Sequence, residues 1–99
     1  MIRRYAPPKP SRGTVIPAAL RREVLARDGG CVGRWIDIST ACAGGIELDH
    51  VRASGGMGMK SPTERGNLVS LCGSHHRAKT LSGRTWRPRL LDYIEARDA

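Results

Sequence analysis

Apolar and polar positions change period several times along this chain, and each change marks an element. Leu20, Val24 and Leu25 form an apolar stripe in Ile16 to Asp28, Pro17 suits a first helical turn, and Gly29-Gly30 ends the run. The pattern predicts a helix over 16–28. Arg21, Arg22 and Arg27 fall largely outside the stripe and read as a solvated face, with a DNA-facing role as the alternative. Cys31 to Gly45 has no period, being broken by Gly, Ser, Thr and Asp, and Trp35, Ile36 and Ile38 are expected to cover one side of what this loop encloses. Ile46 to Val51 alternates, with Ile46, Leu48 and His50 on one parity, as a short strand does. A glycine-rich loop, Arg52 to Lys60, follows. Ser61-Pro62-Thr63-Glu64 has the form of a capping box with proline in the first turn, predicting one turn of helix. Leu68 to Leu71 is a second short apolar segment, Ser74 to Leu81 suits a short helix, and Leu90, Leu91 and Ile94 predict a C-terminal helix over Pro88 to Arg97. The sum is a small α+β fold.

Size and charge narrow the picture. The chain has 99 residues, no Phe, two Trp and two Tyr, so one domain with a thin core is expected. Domains of this kind often use a disulfide or a metal as reinforcement. Residues 1–14, with Pro7, Pro8, Pro10, Arg3, Arg4, Lys9 and Arg12, read as a basic, proline-rich mobile arm, leaving 15–99 as the domain. A net charge of +8 and a pI near 10.5 point to a polyanionic partner, nucleic acid first and an acidic membrane surface second. No apolar run approaches the ~20 residues that span a bilayer. The basic N-terminus lacks the apolar stretch of a secretory signal, so a cytoplasmic address is expected. Disulfides are rare there, and three cysteines cannot all pair within one chain. Metal ligation is the better reading of the cysteines.

Two candidate metal sites follow from the density of ligand types between Glu47 and Lys79, which holds all three histidines. Cys72-x-x-His75 is a knuckle whose tight turn presents both side chains to one tetrahedral ion. Cys31 and Cys42 complete a Cys3His set for a structural zinc, although the ten residues between them are longer than a usual first knuckle. The alternative is three buried, inert cysteines. Neighbouring helical residues point about 100° apart, so His75 and His76 look to different places. If His75 joins the zinc, His76 is left for a second site with Asp49 and His50.

These residues carry a resemblance. Leu48-Asp49-His50-Val51, Asn67-Leu68-Val69-Ser70-Leu71-Cys72, His75-His76-Arg77-Ala78-Lys79, the Gly55-Gly56 pair and the nine-residue step from Asn67 to His76 resemble the HNH endonuclease family. So does the cysteine scaffold, with His75 where many members have a fourth cysteine. The resemblance covers roughly Val24 to Thr80. It implies a ββα-metal (His-Me finger) core flanked by N- and C-terminal helices. It implies that His50 is the general base for a water attacking the scissile phosphate of DNA. Asp49 and His76 would hold one divalent cation on a phosphate oxygen and the leaving 3′-oxygen, and Asn67 would hold His50 in place across the loop. Thr80 stands where some members carry a further ligand, implying an ion completed by water and phosphate. Mg²⁺, Mn²⁺, Zn²⁺ and Ni²⁺ all suit the mixed oxygen and nitrogen donors. Small members are often encoded by phages and act near DNA packaging proteins in the bacterial host, which implies those proteins as partners and a monomer or weak dimer.

Residue chemistry is compatible with those roles. Imidazoles ordinarily titrate near ~6.5, so a histidine can accept a proton at neutral pH. Adjacent strand residues face opposite sides, so the spacing alone does not bring Asp49 and His50 to one phosphate. Arg52, Arg77 and Lys79 are candidate phosphate contacts. Trp86, among Arg84, Arg87 and Arg89, is expected to pack the C-terminal helix rather than stack on a base. The alternative function is a zinc-stabilised, non-catalytic nucleic-acid-binding module, which would not require Asp49, His50 and His76 together. A third, compatible role is an interaction protein that joins a larger complex through its arm and C-terminal helix.

Overall fold

Two short strands organise the chain. The computed structural model describes residues 15–52 and 62–98; the basic arm, Gly55-Gly56 and Ser61 lie outside the described residues. Strand β1 (Ile46–His50) pairs antiparallel with β2 (Leu68–Cys72) in a register that sets Ile46 opposite Cys72 and His50 opposite Leu68. All five residues of β2 are buried, whereas β1 runs from exposed to half-buried. Helix α1 (Ala18–Asp28) lies along β2, and α3 (Gly73–Leu81) follows β2 directly and packs on both strands. The fold is a small α+β arrangement with a two-stranded antiparallel sheet.

The free edge of β2 explains a departure from the sequence reading. Strand edges expose N–H and C=O groups that need partners when buried. Here Asp28 accepts the Ser70 N–H at 2.8 Å, the Val32 N–H donates to the Ser70 carbonyl at 2.9 Å, and Arg27 donates to the Leu68 carbonyl. Asp28 also accepts from Arg27 at 2.7 Å and from the Tyr93 hydroxyl at 2.8 Å. The Arg27 side chain is 3% exposed, so it is not on the solvated face expected for it. A helical period cannot show that a strand edge will claim a charged pair. The same contact raises the Tyr93 hydroxyl above its ordinary pKa, through burial first and then its bond to Asp28.

The core joins Cys31, Val32, Val51, Val69, Leu71 and Cys72 to Trp86, Leu90 and Ile94. The last three lie on α4 (Gly83–Asp98), which starts one turn earlier than expected and carries Pro88 inside it. Trp86, Leu90 and Ile94 recur every four residues on one face. Burying them outweighs the single backbone bond that Pro88 removes. Trp86 is packed, as its sequence context predicts.

Three local expectations need correction. Between Cys31 and Gly45 a one-turn helix, α2 (Gly33–Ile36), breaks the irregular loop. Ile36 packs against the core, but Trp35 is 49% exposed and Ile38 87% exposed, so neither covers the loop. Trp35 instead stacks on Tyr93 with the Arg34 guanidinium over its ring. Finally, the turn expected at 61–64 occurs as a 3₁₀ turn at Arg65–Asn67, with an extended Glu64 before it.

Candidate functional site

Cys31, Cys42, Cys72 and His75 come together from three separate stretches of chain. Cys31 follows the turn that ends α1, where Gly29 takes a left-handed φ of 64° and returns its N–H to Leu25. Cys72 caps α3, with its sulfur accepting the His75 N–H. Gly33 at the start of α2 lets the His75 ring approach, since a methyl group there would overlap it. Trp86 lies against the same ring, centroids 5.9 Å apart. The four ligand atoms lie within 4.8 Å of one another, and the group can hold a metal ion.

The distances fit one tetrahedral ion. His75 Nδ1 stands 3.3 Å from Cys31 Sγ, 3.5 Å from Cys42 Sγ and 3.2 Å from Cys72 Sγ. With zinc bonds of ~2.3 Å to sulfur and ~2.0 Å to nitrogen, such edges come to about 3.5 Å. His75 Nε2 lies 3.2 Å from the Asp37 carbonyl. An N–H donated there leaves the Nδ1 lone pair for the cluster, as outer partners of metal-bound histidines commonly arrange. Burial works against the Cys72 thiolate, but the Ser74 hydroxyl, the backbones of His75 and Ala43 and the His75 ring hold this thiol down at about 5. Cys42 as a residue is exposed, yet desolvation of its sulfur within the cluster, helped by Cys72 and Cys31, pushes it up to about 11. Without a metal the cluster therefore favours a thiolate at Cys72 and a thiol at Cys42.

The second constellation is open. Glu47 and Asp49 share one parity of β1, and α3 packs across that strand. His76, one residue beyond His75, reaches back between them. Its Nδ1 faces Glu47 Oε1, and its Nε2 is 3.1 Å from Asp49 Oδ1. One turn later Lys79 sets Nζ 2.8 Å from Asp49 Oδ2, but it donates its directed hydrogen bond to the His50 carbonyl at 2.9 Å. Thr80 returns its hydroxyl to the His76 carbonyl. Glu47, Gly73, His76, Arg77 and Thr80 line an open depression of about 290 Å³.

His50 is on the other parity and closes β1. Its Nε2 lies 3.0 Å from Thr63 Oγ1. Asn67, fully buried, accepts the Arg52 N–H at 2.9 Å and donates to the carbonyls of Arg52 and Pro62. It thus ties together the two chain ends around the segment 53–61. The Pro62 carbonyl that Asn67 binds immediately precedes Thr63, the partner of His50. The structure brings Asp49 to His76, and His50 to Thr63.

Of the candidate phosphate contacts, Arg52 and Arg77 are exposed, whereas Lys79 is 11% exposed and already engaged with Asp49 and His50. Glu47 and Thr63 carried no role in the sequence reading. The Glu47-x-Asp49 parity could have flagged the first; nothing local marks the second. No family model, curated protein or solved structure matches the chain.

Proposed function

We propose that this chain is an HNH-type endonuclease that hydrolyses DNA phosphodiester bonds, with a structural zinc on Cys31, Cys42, Cys72 and His75. One observation carries the reading: Asp49 Oδ1, on the strand that ends in His50, stands 3.1 Å from Nε2 of His76, which lines an open depression from α3. Adjacent ligand atoms on one octahedral ion at ~2.1 Å are about 3 Å apart. Moreover, a neutral imidazole has one proton. With that proton given to Glu47, the Nε2 lone pair would face a carboxylate oxygen, and a cation between them removes the repulsion.

When bound there, a divalent cation supplies a Lewis acid for the charge that gathers on phosphate and leaving oxygen. The proton work falls to His50. An Nε2–H donated to the Thr63 hydroxyl leaves Nδ1 to accept the proton of the attacking water. As the new phosphorus–oxygen bond forms, the bond to the 3′-oxygen breaks, and that oxygen takes a proton from solvent. Asn67 holds the Thr63 side of this arrangement. Arg52 and Arg77 would pair with flanking phosphates.

A second reading has its own support. A doubly protonated His76 would lie between Glu47 and Asp49 as a cation, and with Lys79 beside Asp49 the two carboxylates are balanced in charge without any metal ion. The chain would then be a zinc-stabilised nucleic-acid-binding module. Supercoiled plasmid incubated with the zinc-loaded protein and Mg²⁺, Mn²⁺, Zn²⁺ or Ni²⁺ separates the two. The nuclease reading expects nicked or linear product with wild type and none with His50→Ala. A gel shift without any cleavage, whatever the metal, overturns it in favour of the binding module.

A further inference from the structure

Glu47 is the acidic group at the open site that is neither a zinc ligand nor a ligand of the proposed cation. We infer that Glu47 is a positioning residue: it accepts the Nδ1–H of His76 and so fixes the ring with its Nε2 lone pair toward Asp49 and the cation. The inference deepens the nuclease reading and rests on it for the cation, but not for the hydrogen bond.

Three features carry it. First, the strand's two-residue period places Glu47 and Asp49 on the same face, at opposite ends of one imidazole. Second, the two ring nitrogens point away from each other, so in this arrangement a cation on Nε2 is within reach of Asp49 while Glu47 is left behind the ring. Glu47 is thus an outer partner and Asp49 a ligand. Third, Glu47 has no other ion-pair partner among the described residues, whereas Asp49 has Lys79. A carboxylate held against the far nitrogen selects the tautomer and strengthens the ring as a donor, and removing such a partner typically weakens metal binding 10–100-fold. The zinc cluster solves the same problem with the Asp37 carbonyl on His75.

The test compares zinc-loaded wild type, Glu47→Ala, Glu47→Gln and Asp49→Ala at about pH 8, above the ordinary imidazole range. Long-range ¹H–¹⁵N correlation spectra report the His76 tautomer, and Mn²⁺ titration followed by electron paramagnetic resonance reports the second site. Wild type is expected to show His76 protonated at Nδ1. Glu47→Ala should mix the tautomers and bind Mn²⁺ roughly 10–100-fold more weakly, with Glu47→Gln, which keeps an acceptor, closer to wild type. An unchanged tautomer and affinity in Glu47→Ala overturns the inference. So does a Glu47→Gln loss equal to that of Asp49→Ala, which would make Glu47 a ligand. If wild type takes up no Mn²⁺ and cleaves plasmid with none of the four cations, the nuclease reading falls, and the tautomer in Glu47→Ala still decides the role of Glu47.

Discussion

His75 and His76 are neighbours in sequence and opposites in environment. His75 is fully buried among three sulfurs, with its far nitrogen on a backbone carbonyl and a tryptophan against its ring. The His76 side chain is 32% exposed among oxygens, beside an open depression. Closed, sulfur-rich sites suit an ion that holds a fold; open sites with few protein ligands leave positions for substrate. One helical step of α3 separates the two. The fold of the cysteine cluster therefore sets where His76 points, and any shift of α3 is felt by both.

The largest effect expected is the loss of this division at His75. His75→Ala removes one of four ligands, and structural zinc binding is worth ~10–16 kcal/mol in small zinc domains. Zinc should be released and cooperative thermal unfolding lost. His76→Ala should keep its zinc, measured by elemental analysis, and unfold close to wild type. Gly33→Ala, which crowds the His75 ring, should resemble a weaker His75→Ala. Equal destabilisation by His75→Ala and His76→Ala would break the division between the sites.

Second comes the open site's own chemistry. If the chain cleaves DNA as proposed, His50→Ala should lower the rate of plasmid cleavage by roughly 10²–10⁴-fold, the usual contribution of a general base. Zinc content and melting temperature should not change. Thr63→Val removes the hydroxyl beside His50 Nε2 and should cause a smaller loss of the same kind. A variant that loses activity only by losing zinc would show that the sites are one structural unit.

The contrast also shows what a sequence can display. The order β1, β2, α3 was legible because strand parity and the Cys72-x-x-His75 turn are local signals, and the helical step between His75 and His76 follows from geometry alone. Glu47 was on the page through its parity with Asp49. Thr63 was not, since its place beside His50 depends on Asn67 drawing Pro62 and Arg52 together across the chain. Arg27 was misread for the same reason: its burial, with that of Asp28, answers the backbone needs of β2, some forty residues on. The early start of α4 was hidden by Pro88, whose penalty is visible in sequence while the packing of Trp86 is not.

The third prediction uses protons to sharpen the closed site. In metal-free protein, Cys72 sits at about 5, below the ordinary thiol value near ~8.5. Its contribution to stability is complete above that ordinary value and is lost as pH falls through about 5. Cys42, pushed up to about 11, acts in the opposite sense: its contribution is present below the ordinary value and lost as pH rises through about 11. Zinc uptake at pH near ~7 should therefore displace the proton of Cys42 but none from Cys72. Calorimetry in buffers of different ionisation enthalpy should count fewer protons than thiols. Release of one proton from every cysteine would show that Cys72 is not held as a thiolate.

The smallest effect concerns the exposed arginines. Arg52 and Arg77 are exposed and have no carboxylate within ion-pair distance among the described residues, unlike Lys79. Each that meets a phosphate should contribute about 0.9 to the slope of log affinity against log salt concentration. Arg52→Ala and Arg77→Ala should each flatten that slope by about this amount and weaken binding to any duplex alike, because phosphate contacts carry no sequence information. Lys79→Ala should change the slope less. Its main effect should fall on metal affinity, since its ammonium balances Asp49 rather than DNA. A slope change for Lys79→Ala as large as for the arginines would mean that Lys79 leaves Asp49 when substrate arrives, and that the open site rearranges on binding while the closed one stays still.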